Sequence, residues 1–454
     1  MVTAGDAIEI YKSAVAAVQP AVLMPGVLEM DEESVRIGEL VFKREDLGRL
    51  VVIGAGKASA AMAGAVEKVL GEVIHSGLVI TKYGHALPLQ KIICLEAAHP
   101  VPDENGVLAT GRMLELLSGL SGQDVVLFLV SGGASALMTD VPPGVQLEEV
   151  QQLVQLLLSC GADISEMNTI RKHLSQVKGG QLSRAAAPAT VVSLILSDVN
   201  GDPLSVIASG PTVGDASTFS EAIDIIDKYR LRDRVPLGIM DWLKAGVAGT
   251  HAETPVPGDP LFDKTHNFLI GTNKISLAAA SAHAESLGYC VHIVDDHLSG
   301  DAEKEAVRFV DACQLYDGHR PACLLMGGET TVVVKGNGKG GRNQHFVLAA
   351  LCVLQSRGVA ITEYPVILSG GTDGSDGPTD AAGAVIDASL AAALAASGID
   401  ARKYLLNNDA YHFFEQAGGL LKTGPTQTNV MDVVIGLVWL NSHLRPLPHH
   451  SPDL

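Results

Sequence analysis

The sequence contains no Cys-x-x-Cys pair and no close Cys/His spacing. Its six cysteines, Cys94, Cys160, Cys290, Cys313, Cys323 and Cys352, are scattered and sit mostly in apolar stretches. That excludes a zinc ribbon or a disulfide scaffold and predicts buried, reduced thiols. There is no basic surplus either. Lys and Arg number 32 against 51 Asp and Glu, for a net charge of -19. Nothing is left over to replace the counterions of a nucleic acid or to draw the chain onto an anionic membrane. No apolar run reaches the length of a bilayer-spanning helix. The start, MVTAGDAIEIYKSAVAAVQP, has neither the basic-then-apolar layout of a secretory signal nor the Arg-rich character of a transit peptide. The resulting expectation is a cytoplasmic protein that binds no nucleic acid and no membrane.

Several catalytic signatures are missing as well. There is no GxxxxGK[ST] phosphate loop, no HExxH metal helix and no GxSxG nucleophile elbow. The acid-rich SGGTDGSDGPTD stretch, with Asp373, Asp376 and Asp380, fails the calcium-loop pattern, because Ser375, Gly377 and Ala384 stand where ligands belong. A loop for polyol hydroxyls or a metal, and a plain turn, both remain open for it. The fifteen histidines show no ligand spacing; His99 and His173 alone lie near candidate loops, and a structural role is expected for each.

What the chain has in excess is glycine, 48 of 454 residues. It is concentrated in short clusters that follow apolar runs, where ligand-binding loops would lie. The runs LVVIGAG, GLVIT, KIICLEA, DVVLFLVS and TVVSLILSD are rich in Val, Ile and Leu and read as strands covered on both faces. They alternate with helical stretches such as ASAAMAGAVEKVL and LEEVQQLVQLLLS. The fold expected is α/β, with a Rossmann-like doubly wound N-terminal domain over 1–240. The proline-rich HAETPVPGDPLFDK marks a boundary, and a second α/β domain over 260–445 follows. There NFLIG, CVHIVDD, ACLLMGG, TVVVKG, PVILSGG, AGAVID and MDVVIGLVWL read as strands. ACLLM and TTVVV would form a hairpin and make that sheet mixed. The Pro/His-rich tail is expected to be disordered.

The loops carry the candidate chemistry. In GAGKAS, Gly54 and Gly56 suggest a dinucleotide loop, but Ser59 replaces the third small residue and the next strand ends in Thr81–Lys82, with no acid for a ribose. Lys57 instead opens a helix, where the dipole favours an anion. In SGGAS, Ser131, Gly132, Gly133 and Ser135 offer amides and hydroxyls to phosphate oxygens. LSDVNGDP sets Asp198, Asn200 and Asp202 at alternate positions, hard oxygen donors suited to Mg²⁺, while Asp198 could equally serve as a base. A basic island, Arg171, Lys172, Lys178 and Arg184, would hold an acidic substrate or form a solvated helix face. Glu329 in MGGET, and Gly340, Gly341, Arg342 and Asn343 in KGNGKGGRNQH, complete the set.

Taken in order, GAGKAS, SGGASAL, NTIRKHLSQVKGGQLS, LSDVNGDPLSVIASGPTVGD, GGETTVVVKGNGKGGRNQ and SGGTDGSDGPTDAAGA resemble the class II glycerate kinases, whose C-terminal half is the MOFRL domain. The resemblance covers nearly the whole chain. It implies a kinase that phosphorylates D-glycerate to 2-phosphoglycerate with ATP and Mg²⁺, in a cleft between two domains, as a monomer or homodimer. It also implies that Lys57 and Arg342 are the reactive cations and that Asp198 is the conserved acid. On the loop chemistry, Gly54, Gly56, Ser131, Gly132, Gly133, Ser135, Gly340 and Gly341 are expected to bind ATP phosphates. Arg171, Asn200, Glu329, Asn343 and Asp373 would contact substrate, and Asp198 and Asp202 the metal. The rival expectation is an NAD(P)H-dependent hydroxypyruvate reductase, a label given to relatives of this family; the missing ribose acid weighs against it.

Overall fold

The computed structural model describes residues 3–439. Six strands, β1 (Leu50–Ala55), β2 (Ile74–Lys82), β3 (Ile92–Ala97), β4 (Val125–Val130), β5 (Thr190–Leu196) and β6 (Thr265–Gly271), form one all-parallel sheet in the order 3-2-1-4-5-6. This is the doubly wound order of nucleotide-binding sheets, whose direction of winding reverses between strands 1 and 4. Every residue of β1 and β4 is buried, and the period-2 alternation sorts them. Val51, Ile53, Val126 and Phe128 enter one core, while Val52, Leu127 and Leu129 enter the other beneath the helix Ser59–Leu70. Each such side chain contributes about 1.5–3 kcal/mol on burial, so a one-residue register slip would forfeit both cores at once.

A helical group follows β4. Leu147–Cys160, Ile164–His173, Phe219–Lys228 and Leu237–Val247 share a separate core that includes Leu153, Ile170, Ile226 and Leu243. Two of these helices start on reciprocal caps, Asp163 with Glu166 and Thr218 with Glu221. A small antiparallel sheet, Leu28–Met30, Ser34–Ile37 and Leu40–Lys43, precedes β1.

The second sheet comprises β7 (Cys290–Leu298), β8 (Ala322–Gly328), β9 (Val366–Gly371), β10 (Gly383–Ile386), β11 (Leu420–Leu421) and β12 (Asp432–Val438), ordered 7-8-12-9-10-11. Helices Ala4–Ala17 and Asn273–Ser286 pack on one face, and Ala302–Leu315 and Arg342–Ser356 on the other. The sheet is mixed, but not through the expected hairpin. The last strand, β12, runs antiparallel to both β8 and β9. TVVVKG makes only an isolated bridge at Thr331; Val332 packs partly against the core, but Val333 and Val334 are exposed, and the run forms no strand.

The chain divides into residues 18–272 with 427–430, and a second unit made of residues up to Ala17, Asn273–Thr426 and residues from Met431. This differs from the expected 1–240 and 260–445 in three ways. NFLIG belongs to β6 of the first sheet. The N-terminal helix belongs to the second unit, because Ile10, Tyr11 and Ala14 lie in its core. The chain also returns briefly to the first unit at 427–430. The Pro/His-rich tail lies outside the described residues.

Two further expectations change. Ala4–Val27 is, by length and composition alone, long and apolar enough to cross a membrane. It is two helices, Ala4–Ala17 and Pro20–Val27, parted ahead of Pro20. The six cysteines are free, but Cys313 and Cys323 alone are buried; Cys290 is exposed, because β7 is an edge strand.

Candidate functional site

The GAGKAS and SGGAS loops leave β1 and β4 side by side at the reversal point of the first sheet. The Lys57 amide donates to the Gly132 carbonyl at 2.9 Å, and the Ser131 amide to the Ala55 carbonyl at 3.1 Å. The Ser131 hydroxyl accepts from the Ala58 amide at 3.0 Å. The crossing is possible because Gly56 carries no side chain: at its φ of +133°, a Cβ would lie 2.1 Å from Ser131 Oγ. Ser59, standing where a dinucleotide loop has its third small residue, is buried, and its single hydroxyl hydrogen is shared between the Gly56 and Ile80 carbonyls at 2.8 and 2.9 Å. Gly54 lies inside β1, pressed against Leu129, so its bareness serves strand packing and it is not part of the loop.

Gly132 marks the convergence of three segments. A Cβ there would fall 1.8 Å from Asn429 Nδ2 and 2.2 Å from Asp198 Oδ2, and Asn429 Nδ2 itself donates to Asp198 Oδ2 at 3.1 Å. Asp198 leaves β5 beside the loop that leaves β4. Asn200 and Asp202 follow on the same half-buried turn, closed by the Asp202 amide on the Val199 carbonyl, with Asp202 at a left-handed φ of 55°. Gly132 thus lacks a side chain because Asn429 and Asp198 already fill that position. Asp198, with Asp202 on the same turn, offers the hard carboxylate oxygens that would hold Mg²⁺. Asn429 was not legible in the sequence: TQTNV has neither motif nor periodicity.

Beside this loop lies a cavity of about 270 Å³, lined by His99, Gly133, Ser135, Asp140, Arg171 and Lys178 and walled by Val150, Leu153, Val154 and Leu174. The basic island is therefore not a solvated face at Arg171, Lys172 and Lys178, while Arg184 is exposed. Lys172 is buried and paired with Asp215 at 3.1 Å, and Arg184 donates to the Glu253 carbonyl. Lys178 is buried, donates to the Met138 carbonyl at 2.9 Å and stands 3.8 Å from Asp140. Burial, partly offset by Asp140, lowers its ammonium to about 8. Arg171 is half-buried and donates to Ser135 Oγ at 2.7 Å. Among the described residues it makes no ion pair, and burial lowers its pKa without a compensating charge. A partly desolvated guanidinium facing a cavity without a counter-ion favours an anionic ligand.

In the second unit, Arg342 opens the helix Arg342–Ser356. Its Nε and Nη2 engage both oxygens of buried Asp432, at 2.5 and 2.9 Å, and its Nη1 meets Glu329 at 2.6 Å. Burial works against the charge, but Asp432 and Glu329 outweigh it and raise the guanidinium further. Asp376 accepts from the Asn343 and Gln344 amides at the helix start. Burial, against those two bonds, pushes its carboxyl up to about 6. Gly341 is glycine because Asp376 occupies the space of its Cβ, 2.3 Å away. Asn343 is buried between Asp376 and Ser369. The Gly-rich loop itself lies against Asn407–Asp409, which caps its amides, and the Gly340 carbon borders Ala410. Asp373 closes its own turn through the Ser375 amide and hydroxyl, and Asp380 pairs with Lys422 and Tyr411.

Two family models match the chain. The family described as "Domain of unknown function (DUF4147)" matches residues 6–244, and the MOFRL family matches 322–432. A D-glycerate 2-kinase from Thermotoga maritima is 44% identical over 402 residues, 87% of this chain and 91% of the relative. A protein from Agrobacterium vitis with the provisional name hydroxypyruvate reductase is 42% identical over 394 residues, 85% of this chain and 86% of that one. The crystal structure of a glycerate kinase from Thermotoga maritima matches with a TM-score of 0.81 at 40% identity, covering 96% of this chain and 99% of that one.

Proposed function

Because the chain belongs to the glycerate 2-kinase family, we propose that it transfers the γ-phosphoryl group of ATP to the C2 hydroxyl of D-glycerate, with Mg²⁺, in the cytoplasm. The observation that carries the substrate side is Arg171, a guanidinium beside the SGGAS loop that makes no ion pair among the described residues. It takes the glycerate carboxylate, with Lys178 as the second cation of the same cavity. Arg342 is less suited to that task, since Asp432 already holds it through two bonds.

Phosphoryl transfer needs positioning and charge stabilisation more than covalent work. The C2 oxygen forms its bond to the γ-phosphorus as the bond to the β,γ-bridging oxygen breaks, leaving ADP. Lys57, at the start of the helix Ser59–Leu70, and the amides of Gly132 and Gly133 offset the charge on the phosphate oxygens. Asp198 accepts the hydroxyl proton or would hold the metal. Mg²⁺, when bound, supplies charge neutralisation between the phosphate oxygens. Arg342 is the second stabilising cation, and the resemblance to the kinases supports that role.

The experiment is phosphorus NMR of the product from ATP, Mg²⁺ and D-glycerate, run beside an NADH-oxidation assay with hydroxypyruvate. A 2-phosphoglycerate signal with matching ADP is the expected result. NADH consumption without ADP would establish the reductase instead. The buried Ser59 and the strand end at Thr81–Lys82 argue against that outcome.

A further inference from the structure

A chain of side-chain hydrogen bonds runs inward from the cavity. Arg171 Nη2 donates to Ser135 Oγ at 2.7 Å, Ser135 Oγ and Ser209 Oγ are 2.8 Å apart, and Ser209 Oγ donates to Asn168 Oδ1 at 3.0 Å. A hydroxyl has one hydrogen. Ser209 gives its hydrogen to the Asn168 carbonyl oxygen, so the hydrogen in the Ser135–Ser209 bond must come from Ser135. The direction of all three bonds is thereby fixed, from the guanidinium inward to the amide. Ser135 then has no hydrogen left for a phosphate oxygen, and its lone pairs face Arg171.

The inner end is held rigidly. Ser209 and Asn168 are buried. Ala208, Ser209 and Gly210 are successive left-handed residues, with φ of 52°, 63° and 65°. This is an unfavourable conformation for the two non-glycines, and one that persists where surrounding structure imposes it. Here the Gly179 amide binds the Ser209 carbonyl at 2.9 Å and the Gly180 amide the Gly210 carbonyl at 2.8 Å. Asn168 sits on the same helix as Arg171, Ile164–His173, so the path closes on itself.

We propose that Ser209 and Asn168 are positioning residues that, through the Ser135 hydroxyl, fix the Arg171 guanidinium in the orientation that receives the substrate carboxylate. The inference rests on the glycerate kinase reading and adds the origin of the carboxylate geometry. It also moves Ser135 from the phosphate side of the site to the carboxylate side. Polarised chains of this kind are strengthened end to end, so removing the inner link loosens the outer one.

The test compares wild type with Ser209→Ala, Ser209→Gly and Arg171→Ala in steady-state kinetics, with calorimetric titration of D-glycerate and thermal melts. Both Ser209 variants should raise the KM and Kd for D-glycerate roughly five- to tenfold, the loss of about one hydrogen bond. The kcat and the KM for ATP should stay within about twofold. Glycine relieves the left-handed strain and alanine does not, so a purely structural role would separate the two variants; equal KM values at different melting temperatures support positioning. If Arg171→Ala weakens D-glycerate but neither Ser209 variant does, the relay is wrong and the carboxylate assignment stands. If Arg171→Ala leaves D-glycerate binding unchanged, the carboxylate assignment itself fails, and the relay with it.

Discussion

Asn429 donates its side-chain amide to the Asp198 carboxylate at 3.1 Å, across 231 positions of sequence, and the α-carbon of Gly132 faces both groups. A methyl group at Gly132 cannot be accommodated without parting them. Gly132→Ala should therefore reduce kcat by roughly 100-fold or more and destabilise the fold by about 1–3 kcal/mol through overpacking. Steady-state kinetics and denaturant titration measure the two effects. Wild-type kcat would show that the Asp198 pocket is not the reacting centre.

Lys57 and Arg342 should respond differently to truncation. Lys57→Ala is expected to lower kcat by about 10³-fold, the scale of a lost transition-state cation, with little change in melting temperature. Arg342→Ala exposes a second cost, because it leaves buried Asp432 without its partner, and about 3 kcal/mol of stability should go with it. Arg342→Lys keeps the charge and should recover stability ahead of kcat, since a lysine cannot span both carboxylate oxygens. Near wild-type kcat in either alanine variant would remove that residue from the mechanism.

Asp376 gives stability a pH dependence of known sign. Its folded value, about 6, lies above its ordinary 3.8. Between about 4 and 6 the folded chain holds a proton that the unfolded chain has released. Stability from this group is therefore greatest below that window and falls as pH rises through it, by about 3 kcal/mol in full. Urea midpoints at pH 4.5 and 6.5 should differ less in Asp376→Asn than in wild type; an unchanged difference would show that Asp376 titrates normally.

Lys178 should make substrate affinity depend on pH. It faces Arg171, Asp140 and the Met138 carbonyl, and it loses its proton at about 8. The KM for D-glycerate should rise as pH passes that value, while Lys178→Met should show a raised and flatter KM across the same range. A wild-type KM that stays level from pH 7 to 9 would place Lys178 outside the substrate pocket.

The sequence disclosed the fold where one physical signal acted alone. β1 and β4 carry no polar side chain and β5 only Thr190 and Ser193, because both faces are covered, and they read as strands at once. TVVVKG has the same composition, yet Val333 and Val334 meet no partner face, and composition cannot distinguish a covered run from an exposed one. The loops holding Lys57, Ser131 and Asp198 were legible because strand ends, glycines and charged residues coincide there. Asn429, Ser209 and Asn168 were not, because each acts through a contact with a distant segment and carries no local pattern of its own. Burial decided the basic island: one sequence stretch holds a structural ion pair at Lys172 and a cation facing the cavity at Arg171.

The return of residues 427–430 to the first unit has a consequence for biosynthesis. All six strands of the first sheet are complete once β6 ends at Gly271. A nascent chain at that point can already bury both faces of the sheet, but Asp198 still lacks the amide of Asn429. The folding unit is finished early and its chemical centre late, so a ribosome-bound or truncated chain would be folded and inert. On the proposed mechanism, phosphoryl transfer is thereby withheld until Asn429, near the end of the described chain, has been made.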